Sequence, residues 1–314
     1  MLARFNQFIE RWIFLVTPVC VILGVVFSDI TIHGNVLVPY VFAVMTFIGA
    51  LKSSFQDIVH VFRHPLPLLL SMVCIHIIMP VLAFGAGSLF FSDNINLITG
   101  MVLEFAVPSA VIALMWVTIY NGSSALSLSL VIVDTVLAPF LIPLTLRVIV
   151  GSRVQINTSS MIEELLFMIA LPAVAAMCLN QFSKGKVKET WPPKLAPVSK
   201  ICLMFIQICN SSKAAPYIRH MNRELLEVIF AILILAAFGY ALGWIAAVLF
   251  KQDRKMTGSM MFGGGMRNIS AGAVIASSYF PAEVVFPVIT ATLFQQVLAA
   301  VYGTLFHRIK KEAS

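Results

Sequence analysis

Gly263-Gly264-Gly265-Met266-Arg267-Asn268 interrupts a long apolar stretch near the C-terminus. Whether that stretch crosses a membrane decides the fold. The 314 residues are 60% hydrophobic and only 11% charged, with a mean hydropathy of +0.95. A soluble domain of this length carries about 25% charged residues. The apolar runs are long and continuous, which suits spanning helices and not the short alternating strands of a barrel. Arg267 is then a permanent cation near mid-bilayer, where a lone charge costs roughly 2.5–3.5 kcal/mol on the insertion scale. Such a residue needs a partner and a task.

Working outward, polar turns divide the chain into ten predicted spans, near 10–28, 35–52, 66–91, 97–120, 123–148, 161–181, 196–218, 224–250, 256–280 and 284–307. The first is read as a retained span, because no small-residue cleavage site follows it. Basic residues alternate between the two sides. Arg4, Arg11, Lys52, Arg63, Lys184, Lys186, Lys188, Lys194, Lys200, Lys251, Arg254, Lys255, Arg308, Lys310 and Lys311 gather on one side, and Arg147, Arg153, Arg219 and Arg223 on the other. Positive-inside bias puts both termini in the cytoplasm, which needs an even number of spans. The net charge of +7 lies in these short loops and is no nucleic-acid signal. No obligate protein partner is evident; the bilayer is the first partner.

Residues 1–181 hold a first five-helix repeat (about 10–148) with span six, a cytoplasmic loop covers 182–200, and a second repeat runs over about 161–307. Five spans is an odd number, so the two repeats face opposite ways. Their fourth spans carry related text, Ser109-Ala110-Val111-Ile112-Ala113 and Gly272-Ala273-Val274-Ile275-Ala276. Both are interrupted, one by Pro108 and the other by Gly263, Gly264 and Gly265. Proline removes a backbone donor and glycine lowers helix propensity. Paired broken helices at corresponding positions point to a midplane binding site in a secondary transporter. Two ordinary kinks are the bland alternative.

These residues make the chain resemble the bile acid:sodium symporter family, which includes bacterial ASBT-type transporters. Gly265-Met266-Arg267-Asn268 with Tyr279-Phe280-Pro281 is similar to the family's G-M-Q-N segment and its ending. His76-Ile77-Ile78-Met79-Pro80 resembles its Q-x-x-I-M-P, and Gly122 to Pro139 resembles its fourth turn and fifth span. The resemblance implies an all-α polytopic fold of ten transmembrane helices in two inverted five-helix repeats. A core domain of spans 3–5 and 8–10 would contain two crossing broken helices, and a panel of spans 1, 2, 6 and 7 would pack beside it. It implies alternating access in a bacterial inner membrane, with bile acid-like or pantoate-like carboxylates as substrates, usually coupled to sodium. Asn268 carries over as a substrate contact. Gln295 and Gln296 fall where the family has His-Asn, and Ser109 and Ser270 are further candidate lining residues.

The sodium ligands depart from the family's pattern. Gly263 stands for its Glu, Arg267 for its Gln, Ala113 and Leu114 for a Ser-Asn pair, Val131 for a Thr and His76 for a Gln, while Ser127 is retained. A sodium ion needs several oxygen ligands, so sodium coupling is expected to be lost. Ser127, Val131 and Asp134 share one helical face, and Glu104 lies one turn before Pro108. Arg267 is expected to stand in for sodium, held by Asp134, Glu104 or both, with a carboxylate or His76 free to exchange a proton. The alternative is an Arg–Asp pair that only locks the core. Lys213 is expected to snorkel to the interface.

No HExxH, GxSxG or phosphate-binding loop is present, so neither an enzyme nor a cofactor is expected. Gly239-Tyr240-Ala241-Leu242-Gly243 is read as close helix packing within the monomer. The five cysteines form no CxxC pair and read as small buried hydrophobes. The resulting expectation is a secondary transporter or facilitator of small organic anions. Its rivals are a sodium-coupled symporter with a rearranged ion site and a non-transporting membrane receptor.

Overall fold

The computed structural model describes residues 15–54, 65–151, 154 and 157–312. Arg4, Arg11, Arg63 and Arg153, used above to orient the chain, lie outside them. The described residues are helical throughout apart from turns and one isolated bridge. Seven helices are long and apolar enough to cross a membrane. They are α2 (Ser28–Ala50), α3 (Pro65–Phe90), α6 (Ser124–Ile149), α7 (Thr158–Phe182), α8 (Lys186–Lys213), α9 (Arg223–Leu249) and α12 (Ala282–Arg308). Shorter apolar helices complete the set: α1 (Leu15–Val26), α4 (Ile95–Ala106), α5 (Ala113–Ile119), α10 (Arg254–Gly265) and α11 (Ile269–Tyr279).

The polar punctuation of the sequence works as helix caps. Asn94, Ser123, Asn157, Asn222, Asp253 and Asn268 each accept, through the side chain, the N–H three residues on. Each cap satisfies one of the donors that a helix start leaves open. The turns meet in two groups. Asn180 donates to the carbonyls of Leu51 and Ser53, Ser123 bonds Lys255, and Arg254 bonds Phe306. In the other group Arg219 reaches Val25, Val26 and Ser28, while Asn94 and Asn96 reach Glu283.

Two sequence expectations need correcting here. Residues 182–200 are not an open loop: after a turn at Ser183–Gly185, helix α8 starts at Lys186 and includes Pro192, Pro193 and Pro197. These prolines fall in the Lys-rich first half, where water can satisfy the carbonyls they free. The glycine run is not the break either. Gly263, Gly264 and Gly265 are the last turn of α10, and the helix stops after them. Their role is close approach to neighbouring helices, Gly264 and Gly265 to α9 and Gly263 to Leu130 of α6. A Cβ on Gly265 would sit 2.2 Å from the Tyr240 ring, and one on Gly264 would lie 3.1 Å from the Gly239 carbonyl oxygen. Tertiary packing outweighs the weak helix propensity of glycine. Gly239 and Gly243 therefore pack within the monomer, against α10, as the sequence suggested.

Both predicted breaks exist. The chain leaves helical geometry between α4 and α5, around Pro108, and again at Met266–Asn268 between α10 and α11. The two breaks meet. Ala110 N–H donates to Met266 O at 3.0 Å, and Asn268 N–H donates to Pro108 O at 2.8 Å. This antiparallel bridge of Ser109 with Arg267 satisfies groups that the broken helices leave open.

Candidate transport site

A cavity of about 830 Å³ adjoins the crossing. Residues of α1, α2, α7 and α8 form one wall. The other consists of α5, α6, the second break and the start of the last helical segment, Gln295–Glu312. Most of the surface is apolar, from side chains such as Phe42, Met45, Met115 and Leu203. Five sequence-predicted residues line it: Arg267, Asn268, Ser270, Gln295 and Gln296. Its other charged lining residues are Lys52 and Lys200, and no Asp or Glu is among them.

The same crossing has a second, interior side. Asp134 of α6 is fully buried and holds two partners at once. Its Oδ1 lies 2.5 Å from His76 Nε2, and its Oδ2 accepts the Ser109 N–H at 2.7 Å. His76 sits in a π-helical turn, Cys74–Ile78, just before Met79-Pro80, and this turn aims it at α6. Asp134 is thus tied to the first break and to His76. The expected direct Arg267–Asp134 pair is not formed, because the carboxylate is already committed.

Arg267 is 2% exposed, and neither Nη1 nor Nη2 has a hydrogen-bond partner among the described residues. Glu104 is 1% exposed with Oε2 likewise unpartnered, so it does not grip the guanidinium. Ser127 is buried with its hydroxyl unpartnered, near the start of α6.

Ser109, a candidate lining residue, is turned away from the cavity: its hydroxyl donates to Gly263 O at 3.1 Å. Asn268 both lines the cavity and caps α11 through Ala271 N–H at 3.2 Å. The first-turn N–H groups of α11 point along its positive end toward that wall. Lys213 donates to the carbonyls of Ser277 and Phe280, at the C-terminal end of α11. Sequence reasoning missed Trp116, whose indole N–H donates to Gln296 Oε1 at 3.0 Å, and Tyr240, whose hydroxyl donates to Gln295 O at 2.9 Å. Aromatic residues in an apolar helix carry no signal of such ties.

Crossed helix breaks beside a large cavity, within a bundle of apolar helices, define a polytopic membrane transporter. The profile of the Sodium Bile acid symporter family matches residues 38–221. Over 296 residues the chain is 38% identical to the Uncharacterized protein YbaS of Bacillus subtilis (strain 168), covering 94% of this chain and 97% of that one. It is 25% identical over 265 residues to the Uncharacterized sodium-dependent transporter YocS of the same organism, covering 82% and 79%. It is 24% identical over 281 residues to the Probable sodium/metabolite cotransporter BASS3, chloroplastic, of Oryza sativa subsp. japonica, covering 84% of this chain and 63% of that one. The chain belongs to the Sodium Bile acid symporter family.

Proposed function

We propose that the protein is a secondary transporter of small organic anions that works by alternating access in a bacterial inner membrane, with both termini cytoplasmic. The observation that carries the anion reading is the charge of the cavity: among the described residues, Arg267, Lys52 and Lys200 line it and no carboxylate does. A cation entering this cavity would be repelled by the buried Arg267 at the crossing, whereas an anion is attracted there. The largely apolar wall suits the organic part of the substrate. The two walls supply the rocking elements: α1, α2, α7 and α8 act as the panel, and the broken helices with α3, α6, α9 and α12 act as the core.

Sodium coupling is replaced in this reading by a built-in charge. Arg267 brings a fixed cation to the crossing, and no hydrogen bond consumes the terminal nitrogens of its guanidinium. The proton between His76 Nε2 and Asp134 is the coupling candidate. Asp134 also holds the Ser109 N–H, so a change in its protonation reaches the first break directly. Facilitated diffusion is the limiting case in which that proton never leaves.

Uptake into proteoliposomes under separately imposed sodium and proton gradients tests this. Anion uptake should follow the proton gradient or the substrate gradient alone, unchanged when choline replaces sodium. A strict sodium requirement would sink the coupling proposal and favour a symporter with a rearranged ion site, in line with the name of the sodium-dependent YocS relative. Uptake of organic cations would sink the anion reading, and binding without flux would favour a receptor.

A further inference from the structure

We infer that Lys213 is a latch that closes panel on core at the end of the bundle away from the cavity, and that it must release for the outer side to open. This rests on the alternating-access reading above and deepens it by naming the contact that gives way.

The latch begins in the sequence Ser277-Ser278-Tyr279-Phe280-Pro281, where α11 ends. A helical carbonyl is normally taken by the N–H four residues on. Four residues after Ser277 stands Pro281, which has no N–H. Phe280 has already turned to extended backbone, φ −128° and ψ 161°. The carbonyls of Ser277 and Phe280 therefore have no helical partner, and they lie at the negative end of α11, where a cation is favoured. Lys213, the last residue of α8, donates to both, reaching Phe280 O at 3.4 Å. A second tie runs beside it: the Tyr279 hydroxyl donates to Ser160 O of α7 at 3.5 Å. Both ties join α11 of the core to a panel helix.

The cavity stops short of these ties. Its last lining residues in that direction are Gln207 on α8, Ile169 on α7 and Ser270 on α11. The latch lies beyond them, at the end that carries Arg219, Asn94 and Glu283, which is the outer end in the orientation proposed above. Between Gln207 and Lys213 on the surface of α8 stands Asn210, one turn from each. It is fully buried, and neither its Nδ2 nor its Oδ1 has a partner among the described residues. The Gln207 Nε2 and the Ser277 hydroxyl are buried and unpartnered as well. A buried polar group without a partner costs free energy, and that cost disappears when water reaches it. The charge-assisted bonds of Lys213 act in the other direction and hold the contact shut. A strong latch set against a surface that gains by becoming wet keeps the closed and open states close in free energy, as a gate requires.

The test uses Asn210→Cys as a reporter in the full-length protein, in right-side-out membrane vesicles. Its modification by two membrane-impermeant thiosulfonates, one anionic and one cationic, is followed by mass spectrometry of that peptide. With Lys213 in place both reagents should react slowly. Lys213→Met should speed both roughly tenfold or more, the shift expected on losing a charge-assisted hydrogen bond, whereas Lys213→Arg should stay slow. Loss of the ammonium's own field would instead change the two rates in opposite directions. Unchanged rates in Lys213→Met, opposite changes, or equal acceleration in Lys213→Arg overturn the latch. Equal acceleration in inverted vesicles overturns it too, because it marks general loosening. Asn210→Leu, with Lys213 intact, tests the other side of the balance and does not depend on the folding of Lys213→Met. An apolar side chain of similar shape should raise the thermal unfolding temperature by roughly 2 °C or more; an unchanged or lower temperature overturns the proposal. Flux together with latch-independent modification would sink the latch and leave the transporter reading intact, and latch-dependent modification without flux would do the reverse.

Discussion

The two helix breaks are pinned alike but by different chemistry. In each, a backbone N–H is captured by a side chain from the second helix after the break, α6 for the first and α12 for the second. Ser109 N–H goes to Asp134 at 2.7 Å, and Arg267 N–H goes to Gln295 at 2.8 Å. The first anchor is a fully buried carboxylate that also holds His76; the second is a neutral amide that also lines the cavity. The pairing divides the labour at the crossing. One anchor can change charge and is hidden from substrate, and the other cannot change charge and stands beside it. In the proposed transporter, coupling chemistry and substrate recognition would then act on one piece of backbone from opposite sides.

The largest effect should come from removing the charged anchor. Asp134→Leu leaves the Ser109 N–H and His76 without their partner in the core. Breaking a buried pair in this way costs about 3–5 kcal/mol. Gln295→Leu strands one backbone N–H and should cost about 1–3 kcal/mol. Thermal unfolding of the two purified variants in detergent gives the order. Gln295→Leu being the worse of the two would break the contrast between anchors.

Next in size is Gly265→Ala. The added carbon would meet the Tyr240 ring at 2.2 Å, and Tyr240 is itself fully buried with its hydroxyl bonded to Gln295 O. Overpacking of this kind costs roughly 1–3 kcal/mol, against which the better helix propensity of alanine returns about 1 kcal/mol. A variant as stable as the parent would mean that the glycine run is there for its weak propensity and not for close packing.

That distinction shows where the sequence could be read and where it could not. Apolar length and punctuation found the all-helical membrane fold, and Pro108 and the glycine run at 263–265 pointed to the neighbourhood of both breaks, because these are local signals. The glycine run was misread as a break because the purpose of Gly264 and Gly265 lies in α9, more than 20 residues away in sequence, at Gly239, Tyr240 and Gly243. The Lys- and Pro-rich start of α8 looked like a loop by composition, although prolines in a solvated first half of a helix are tolerable. Arg267 was read as a charge held directly by Asp134, Glu104 or both, and neither carboxylate bonds its terminal nitrogens. The partner of Asp134 was missed, because His76 stands 58 positions away and only the packing of α3 on α6 brings them together. The amide orientations of Asn268, Gln295 and Gln296 follow from donors on other elements, which a one-dimensional reading does not see.

A double-mutant cycle sharpens the assignment of partners. His76→Phe and Asp134→Asn should show a coupling of about 1–3 kcal/mol, as residues in one hydrogen-bonded network do. Arg267→Gln with Asp134→Asn should couple less strongly, because no hydrogen bond joins them. Measured unfolding free energies that reverse this order would restore Arg267 as the direct partner of Asp134.

The smallest effect should belong to the residue that looked most like the cause of the first break. Pro108→Ala restores a backbone N–H whose helical acceptor would be the carbonyl of Glu104. For the helix to close there, the chain would have to give up Ala110 to Met266, Asn268 to Pro108 and Ser109 to Asp134. One regained hydrogen bond does not offset three lost ones, each worth about 1 kcal/mol net and more where a group is left buried and unpaired. The break should therefore persist in the alanine variant, with stability changed by less than about 1 kcal/mol and anion uptake retained. Loss of uptake in a folded Pro108→Ala protein would mean that proline, and not the crossing, holds the first break open, and the two breaks would then differ in cause as well as in chemistry.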